Sequence, residues 1–213
     1  MNKTRLIIAR HGNTFGPDDT PTRVGARTDL PLVEKGRLQA QQMGLWLKGQ
    51  DIMPARIIAG PLKRTMEMAE IVRDLVKLKP QVEIDERLRE IDYGPDENLT
   101  EDRVIARIGE DAIKDWDEKA IVPDGWKVNP AQMQRDWHSL SEEIIDANPN
   151  QNVLVVTSNG VARFAPHLTG DFDAFRAIHE LKLATGALGI LEHLQDDDHW
   201  HAECWNLRPK DYI

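Results

Sequence analysis

Three short apolar runs in the chain end in turns that contain glycine. Residues 6–9 lead into Arg-His-Gly, and residues 153–157 lead into Ser-Asn-Gly. A third run, at residues 57–58, precedes Ala-Gly-Pro. Continuous apolar runs bounded by turn residues are typical of strands that are buried on both faces. The pattern therefore predicts three parallel strands of one sheet.

The segments between these strands carry apolar residues at a helical spacing. Residues three or four apart share one face of a helix, and Pro61 stands where a first helical turn tolerates a missing N–H. The apolar positions are Leu62, Met66, Ala69, Val72 and Val76, with Ala40, Met43 and Leu47 earlier and Met133, Trp137, Leu140 and Ile144 later. Strands alternating with such helices predict an α/β three-layer sandwich, with a mostly parallel central sheet and helices on both faces.

Three regions depart from this alternation. Residues 187–194 and 200–205 flank the acidic stretch 196–198, which predicts an antiparallel edge near the C-terminus. Residues 92–130 hold 5 Lys/Arg and 11 Asp/Glu, and we interpret them as an acidic insertion or lid. Residues 13–31 form a long loop with three prolines, and such loops are usually functional or disordered. The sequence shows no repeat or linker, so we expect one domain over residues 1–213.

Composition and charge narrow the classes of function. With 213 residues, 40% of them hydrophobic, the chain can bury one sizeable core. The net charge of −9 argues against nucleic acid and membrane as partners, since both select a basic face. The start of the chain lacks the apolar segment of a signal peptide, and the single cysteine, Cys204, cannot form an intrachain disulfide. We therefore expect a cytoplasmic protein.

The tripeptide Arg10-His11-Gly12 would stand at the carboxyl end of the first strand, where open α/β sheets gather their ligands. A neutral imidazole is a competent nucleophile toward phosphorus when a hydrogen bond holds its other nitrogen. Arg10 would bind phosphate oxygens, and Gly12 would let the backbone approach closely. Taken alone, the same tripeptide is equally explained as a polar strand end.

Further segments, in a fixed order, extend this motif along the chain. RHGNT at 10–14 is followed by LPLVEKGRLQA at 30–40, GPLKRTMEMAE at 60–70 and LREIDYG at 88–94, and then by KLATGALGILEHL and CWNLRP near the C-terminus. This series resembles the histidine phosphatase superfamily, in its phosphoglycerate-mutase-like branch, over nearly the whole chain. The resemblance implies a phosphoglycerate-mutase-like fold and a chemistry that uses no metal and no cofactor.

The resemblance also implies roles for individual residues. In this family the RHG histidine becomes phosphorylated, arginines clamp the phosphate, and a carboxylic acid protonates the leaving oxygen. By resemblance the catalytic residues are His11 and Glu90, and the residues that bind the substrate phosphate are Arg10, Gly12, Asn13, Arg64, Ser158 and Asn159. Two alternatives stay open: a solvated surface position for Arg64, and a salt bridge from Glu90 to Arg87 or Arg89.

The sequence departs from the family at its second histidine. That histidine occurs in segments resembling VVTHGGV, whereas residues 155–161 here read VVTSNGV, with Ser158 in its place. A serine can donate a neutral hydrogen bond but carries no charge. By analogy with the loss of one oxyanion donor, we expect turnover to be slower by about 10²- to 10³-fold. His138, His167 and His179 are candidates to replace it, and each is also explained as a structural or surface histidine.

Three hypotheses about function follow. The first is a phosphomonoesterase that passes a phosphoryl group from a small phosphorylated metabolite to His11 and then to water. The second is a catalytically impaired phosphate-binding or regulatory protein, and the third is a phosphoglycerate mutase. Arg23 and Arg27 would reach a second anionic group of the substrate, or else are solvated loop charges. The six tryptophans and the antiparallel edge are compatible with a homodimer, and equally with a simple core.

Overall fold

The computed structural model describes residues 3–77, 81–195 and 197–212. Within these ranges the strands are β1 (Lys3–Arg10), β2 (Pro54–Ala59), β3 (Glu83–Ile84), β4 (Asn152–Thr157), β5 (Leu188–Leu194) and β6 (His201–Leu207). They form one sheet in the order β3-β2-β4-β1-β5-β6. The first four strands in that order are parallel, whereas β5 is antiparallel to β1 and β6 to β5. The predicted mostly parallel sheet with an antiparallel edge is confirmed.

Helices cover both faces of the sheet. In the described part of the chain they are α1 (Glu34–Gly49), α2 (Lys63–Val76), α3 (Glu101–Ile108), α4 (Glu110–Lys119), α5 (Pro130–Ala147), α6 (Asn159–Ala162) and α7 (Phe172–Ile178). The three helices that the apolar spacing predicts are confirmed as α1, α2 and α5. Helix α2 begins at Lys63, after Pro61, and the Lys63 amide donates to Asp29 Oδ1 over 2.7 Å. A loop carboxylate therefore caps this helix, a contact that the local sequence does not reveal.

The sheet separates two hydrophobic cores. Successive side chains of a strand point to opposite faces, so Leu6 of β1 packs in the core that includes Trp137 of α5. Its neighbour Ile7 packs in the other core, with Met43 of α1 and residues of α2. Because both faces of the central strands are buried, their sequences are continuous apolar runs and do not alternate between apolar and polar residues.

The acidic segment 92–130 contains α3 and α4 and is tied to the core by its own apolar side chains. Val104, Trp116 and Trp126 are all buried in the core on the α5 side of the sheet. The two indole rings meet edge to face, with 5.2 Å between their centroids, a geometry that aromatic pairs favour. The segment is thus acidic on its outer surface and apolar inside. Its movement as a lid remains a prediction.

The C-terminal hairpin of β5 and β6 forms one edge of the sheet. Its predicted acidic turn includes Asp196, which lies outside the described residues. Beside that position, His201 Nε2 lies 2.8 Å from Asp197 Oδ2 in an exposed pair. No group of three or more His, Cys, Asp or Glu side chains within the described ranges could hold a metal ion. The described helices likewise include none that is long and apolar enough to cross a membrane.

Candidate active site

The carboxyl ends of β1 and β4 lie side by side in the middle of the sheet. The two strands pair from Arg5 and Asn152 to Arg10 and Thr157, and the His11 amide donates to the Thr157 carbonyl over 3.0 Å. This pairing brings the turn at 10–13 next to the turn at 158–160. These are the two segments that the sequence analysis singled out, and they are far apart along the chain.

Gly12 allows the first turn to pack directly on α1. A Cβ at this position would lie 2.5 Å from the carbonyl oxygen of Gly36, a distance that no backbone tolerates without a shift. Gly12 is buried and makes no contribution to the lining of the nearby cavity. The absence of a side chain at position 12 therefore lets the turn pack against α1.

A cavity of about 590 Å³ opens at this edge of the sheet. The strand ends form one side, and the 13–31 loop and segment 92–130 form two others. Of the residues predicted for the site, those that line the cavity are Arg10, His11, Asn13, Arg23, Glu90 and Asn159. Gly12, Arg27, Arg64 and Ser158 are not among its lining residues.

His11 is held in a defined orientation. The side chain is 7% exposed, and its Nδ1 lies 2.8 Å from the Gly12 carbonyl oxygen. A carbonyl only accepts, so Nδ1 carries the proton and Nε2 of the neutral ring keeps its lone pair. Burial, reinforced by the charges of Arg64 and Arg10, lowers the pKa of His11 well below 6.5. The ring is therefore neutral near pH 7, as a nucleophile requires.

The two predicted phosphate-binding arginines occupy different positions. Arg10 lines the cavity and donates Nη1 to the Leu183 carbonyl over 2.6 Å. Arg64 is fully buried, and its guanidinium donates to backbone carbonyls of the 13–31 loop, of which Thr28 is the nearest at 2.9 Å. Burial lowers the pKa of both groups from its usual value of 12.5. An arginine does not lose its proton in proteins at neutral pH, so both stay cationic. Arg64 thus anchors the loop and acts on the site through its charge.

Glu90 is a buried carboxyl next to the second turn. Its Oε1 accepts from the Ile91 amide over 2.9 Å, and its Oε2 accepts from the Gly160 amide over 3.3 Å. Burial raises the pKa of Glu90 above 4.5, although the Arg64 charge, the two amides and Arg10 oppose the shift. A carboxyl with a raised pKa in a cavity wall can hold a proton until a leaving group needs it.

The arginines nearest to Glu90 in sequence have other partners. Arg87 forms ion pairs with Asp85 and Glu143, at 2.6 and 2.7 Å. Arg89 pairs with Glu86 at 2.8 Å. The salt bridge that stood as the alternative for Glu90 does not form with either arginine, and the acid remains in the cavity wall.

The second turn presents neutral groups where a cation was expected. Ser158 is fully buried, and its hydroxyl has no hydrogen-bond partner in the ranges that the structure covers. Asn159 lines the cavity, and its Oδ1 accepts from the Leu183 amide over 2.9 Å. The amide NH₂ of Asn159 can donate to an anion bound in the cavity. Asn13 is held in the same way, since its Oδ1 accepts from Thr185 over 2.7 Å.

The three candidate replacement histidines all lie away from the cavity lining. His167 stacks on Phe172 with 3.9 Å between ring centroids, and burial lowers its pKa. His138 is exposed on α5, and His179 packs against Phe175. Among the described residues no histidine takes the place of Ser158 in this arrangement.

The two loop arginines differ in their surroundings. Arg23 lines the cavity and binds both carboxylate oxygens of Glu101 at 2.8 Å. Its guanidinium also lies over the Trp126 ring, 5.0 Å from the centroid. Arg27 is exposed and pairs with Asp92 at 3.1 Å. The structure therefore places one of the two at the cavity and the other outside it.

The cavity lining also contains a cation that the sequence analysis missed. Arg163 is 1% exposed, lines the cavity and stacks on Trp116, with 3.9 Å from Cζ to the ring centroid. Asp117 lies next to both Arg163 and the exposed Lys182. The one signal in the sequence is a charged residue inside the apolar stretch VARFA at 161–165.

Comparisons with known proteins cover almost the whole chain. The family model described as the histidine phosphatase superfamily (branch 1) matches residues 6–208. A probable phosphoglycerate mutase of Erwinia tasmaniensis is 27% identical over 203 residues, which span 94% of this chain and 89% of that protein. An uncharacterized phosphatase of Bacillus subtilis is 26% identical over 204 residues, 96% of this chain and 95% of that protein. A mycobacterial hydrolase has a similar fold, with a TM-score of 0.81, 21% identity and coverage of 98% and 92% of the two chains.

Proposed function

We propose that this chain, which belongs to the histidine phosphatase superfamily, is a phosphomonoesterase. It passes a phosphoryl group from a small phosphorylated metabolite to His11 and then to water. One observation carries the proposal: His11 is a neutral imidazole, fixed by the Gly12 carbonyl at 2.8 Å, in the wall of a cavity that also holds the protonatable acid Glu90. A nucleophile and an acid in one cavity are the groups that a two-step phosphoryl transfer requires.

In the first step, His11 Nε2 attacks phosphorus and the bond from phosphorus to the ester oxygen breaks. Glu90 gives its proton to that oxygen, which leaves as an alcohol. In the second step, the Glu90 carboxylate takes a proton from a water molecule as the water oxygen bonds to phosphorus. The bond from phosphorus to Nε2 breaks, and inorganic phosphate leaves with His11 and protonated Glu90 regenerated.

Cationic and hydrogen-bonding side chains stabilise the phosphoryl group during its transfer. Arg10 lines the cavity with a cationic side chain, and Arg64 adds its buried charge from behind the 13–31 loop. Asn159 can add a neutral donor from the second turn. Ser158 supplies no charge, so the transition state has one cation fewer than the family pattern provides. The enzyme we propose is therefore slow, by about 10²- to 10³-fold relative to a site with that cation.

The decisive experiment compares hydrolysis of 4-nitrophenyl phosphate by wild type and by His11→Ala. We expect loss of the nucleophile to reduce kcat by more than about 10³-fold. Because a bond from phosphorus to an imidazole nitrogen is stable in alkali and not in acid, we expect wild type quenched in alkali to carry a phosphoryl group that the variant lacks. His138→Ala is the matched control, because His138 is exposed on α5 outside the cavity. Equal rates for wild type and His11→Ala would dispose of the proposal.

Product analysis separates hydrolysis from mutase action. One relative is named as a phosphatase and the other as a probable phosphoglycerate mutase. A phosphatase releases inorganic phosphate from a phosphoglycerate in amounts equal to the substrate consumed. A mutase instead accumulates the isomeric phosphoglycerate, which needs an intermediate protected from water.

A second candidate function, anion binding without turnover, is favoured by the uncharged residue at position 158. Such a protein would bind orthovanadate or phosphate, detected as a rise in Tm, but would not hydrolyse 4-nitrophenyl phosphate. Ser158→His then distinguishes the two: a phosphatase limited by this position gains rate. If the rate is unchanged in folded Ser158→His, position 158 does not limit catalysis.

A further inference from the structure

We propose that a second, smaller cavity beside the catalytic one binds inorganic phosphate as a regulatory ligand, through the side chains of Lys35, Arg208 and Lys210. This smaller cavity has a volume of about 190 Å³ and is lined by α1 and by the segments 184–186 and 208–210. The inference goes beyond the proposed function, because binding at this site needs no turnover. It is supported by the charges that line the smaller cavity, by its size and by the wall that it shares with the catalytic cavity.

The fold brings cations from the two ends of the chain to this cavity. Lys35 lies in the first turn of α1, and Gln39 follows it four residues later. Residues at this spacing share one face of a helix, so α1 presents a cation and an amide to the cavity. Near the C-terminus, the exposed Arg208 and Lys210 flank the buried Pro209, and the turn that begins at Pro209 packs against α1. The positions of all three cations are therefore set by packing between α1 and this turn.

The positive charges of the smaller cavity are not balanced by carboxylates. Its lining residues include no Asp or Glu, and Asp211, which follows Lys210 in the sequence, does not line it. Among the described residues, none of the three cations has a carboxylate oxygen within 4.0 Å. The loop arginines Arg23 and Arg27, by contrast, each pair with a carboxylate. An excess of positive charge therefore surrounds this cavity on a protein whose net charge is −9, and like charges held together favour an anion between them.

The size and charge of the smaller cavity select the ligand. Pockets for drug-sized organic ligands have volumes of about 300 to 1,000 Å³, so a cavity of about 190 Å³ suits a small inorganic ion. Lysine and arginine side chains together bind a multiply charged anion with several acceptor oxygens better than a monovalent one. Inorganic phosphate is such an anion, and the proposed reaction releases it in the neighbouring cavity.

The two cavities share a thin wall behind the catalytic turn. Thr185 lines both cavities. Gln39, which lines the smaller cavity, accepts from the Asn13 amide over 2.8 Å and donates to the Thr185 carbonyl over 2.9 Å. The next residue, Gly186, donates its amide to the His11 carbonyl over 3.2 Å. Two anions on the two sides of this wall repel each other through protein, which screens charge less than water does, so phosphate in the smaller cavity weakens anion binding in the catalytic one.

The test is an NMR titration of isotope-labelled protein with potassium phosphate, with the ionic strength held constant by potassium chloride. The backbone amide shifts of Gln39, Lys210 and Asp211 report on the smaller cavity, and those of Asn159 and Gly160 report on the catalytic cavity. We expect the shifts around the smaller cavity to saturate with a Kd of their own. Shifts there that do not saturate, or that potassium chloride alone produces equally, would mean that these residues form only a basic surface and would overturn the site.

A variant without the three cations should lose this binding. In the triple variant Lys35→Gln, Arg208→Gln, Lys210→Gln, we expect phosphate to bind in the smaller cavity about tenfold more weakly or worse, the effect of at least one charge-assisted hydrogen bond. The rest of the amide spectrum should be unchanged, which establishes folding. Lys48→Gln is the matched control, because Lys48 is an exposed cation in the last turn of the same helix and lines neither cavity. It should keep the wild-type Kd, and an unchanged Kd in the triple variant would overturn the site.

Orthovanadate tests the coupling across the shared wall. Because linkage is reciprocal, an anion in the catalytic cavity weakens phosphate binding in the smaller one by the same factor. The phosphate titration is repeated with orthovanadate at a concentration that saturates the shifts of the catalytic cavity and leaves the Lys210 amide unmoved. We expect a Kd in the smaller cavity that is severalfold higher, and an equal Kd would overturn the regulatory role. Failure of orthovanadate to bind in the catalytic cavity would instead count against the proposed function, whereas the phosphate titration and the triple variant would still decide the site.

Discussion

The backbone amide of Gly160 donates to the carboxyl of Glu90 over 3.3 Å, and the same residue makes room for that carboxyl. A Cβ at position 160 would lie 2.4 Å from Glu90 Oε1. The turn that has Ser158 in place of the expected histidine therefore positions the Glu90 carboxyl. In the proposed mechanism, this turn acts through its backbone.

We predict that Gly160→Ala lowers kcat by displacing Glu90. The expected loss is about 10- to 10²-fold, since misplacement of a catalytic group by a fraction of an ångström is costly. The measurement is kcat for an alkyl phosphate, with circular dichroism to establish folding. Gly49→Ala is the control, because a Cβ there meets nothing within 4 Å. It should keep wild-type kcat, and an equal loss in both variants would contradict the prediction.

Replacement of Glu90 by Gln should affect substrates according to their leaving group. An alkoxide needs a proton in order to leave, whereas 4-nitrophenolate is stable without one. We expect Glu90→Gln to reduce kcat/KM for alkyl phosphates by about 10²- to 10⁴-fold and for 4-nitrophenyl phosphate by much less. The measurement is kcat/KM because it reports only the first step, whereas kcat includes the attack of water, in which Glu90 acts as the base for both substrates. Equal losses for both substrates would mean that Glu90 is not the general acid.

The depressed pKa of His11 predicts a pH dependence of stability. In the unfolded chain this histidine takes up a proton near pH 6.5, whereas the folded protein resists protonation until lower pH. The stabilising contribution is therefore complete above pH 6.5 and is lost as the pH falls below it. Urea denaturation at several pH values should show that the free energy of unfolding falls more steeply on acidification for wild type than for His11→Gln. Parallel curves would show that His11 titrates normally when folded.

The unpartnered hydroxyl of Ser158 should cost stability. Ser158→Ala removes a buried polar group that has no partner in the described structure, and we expect the free energy of unfolding to rise by up to about 1 kcal/mol. Ser141→Ala is the contrasting control, since that buried hydroxyl donates to the His138 carbonyl over 2.8 Å. It should lower stability by a similar amount. A loss of stability in Ser158→Ala would indicate that the hydroxyl has a partner.

The sequence predicts the fold well because the central strands are buried on both faces. The apolar runs at 6–9, 57–58 and 153–157 became β1, β2 and β4, and the hairpin at the C-terminus became β5 and β6. The pattern of apolar positions along the sequence indicates which residues are buried, and burial is what distinguishes these strands. The exact start of α2 is harder to predict from the sequence, because Asp29 of the distant 13–31 loop caps the helix.

The site was predictable only where a motif marks it. Short motifs predict His11 and Glu90, and both line the cavity, but no local pattern shows that Arg64 of α2 donates to carbonyls of the 13–31 loop. Arg163 was missed because its partners, Trp116 and Asp117, come from a segment that composition marks only as acidic. Contacts between distant segments depend on tertiary packing, which a single sequence does not encode in any local signal.

The place of β4 in the middle of the sheet bears on how the molecule is made. Strand β1 is synthesised before the other described strands, yet both of its neighbours in the sheet, β4 and β5, lie in the last third of the given sequence. Until those strands are synthesised, the His11 amide lacks the Thr157 carbonyl as its partner, and both hydrogen-bonding edges of β1 stay unpaired. A nascent or truncated polypeptide that ends before β4 therefore cannot form the site, and its unpaired strand favours aggregation.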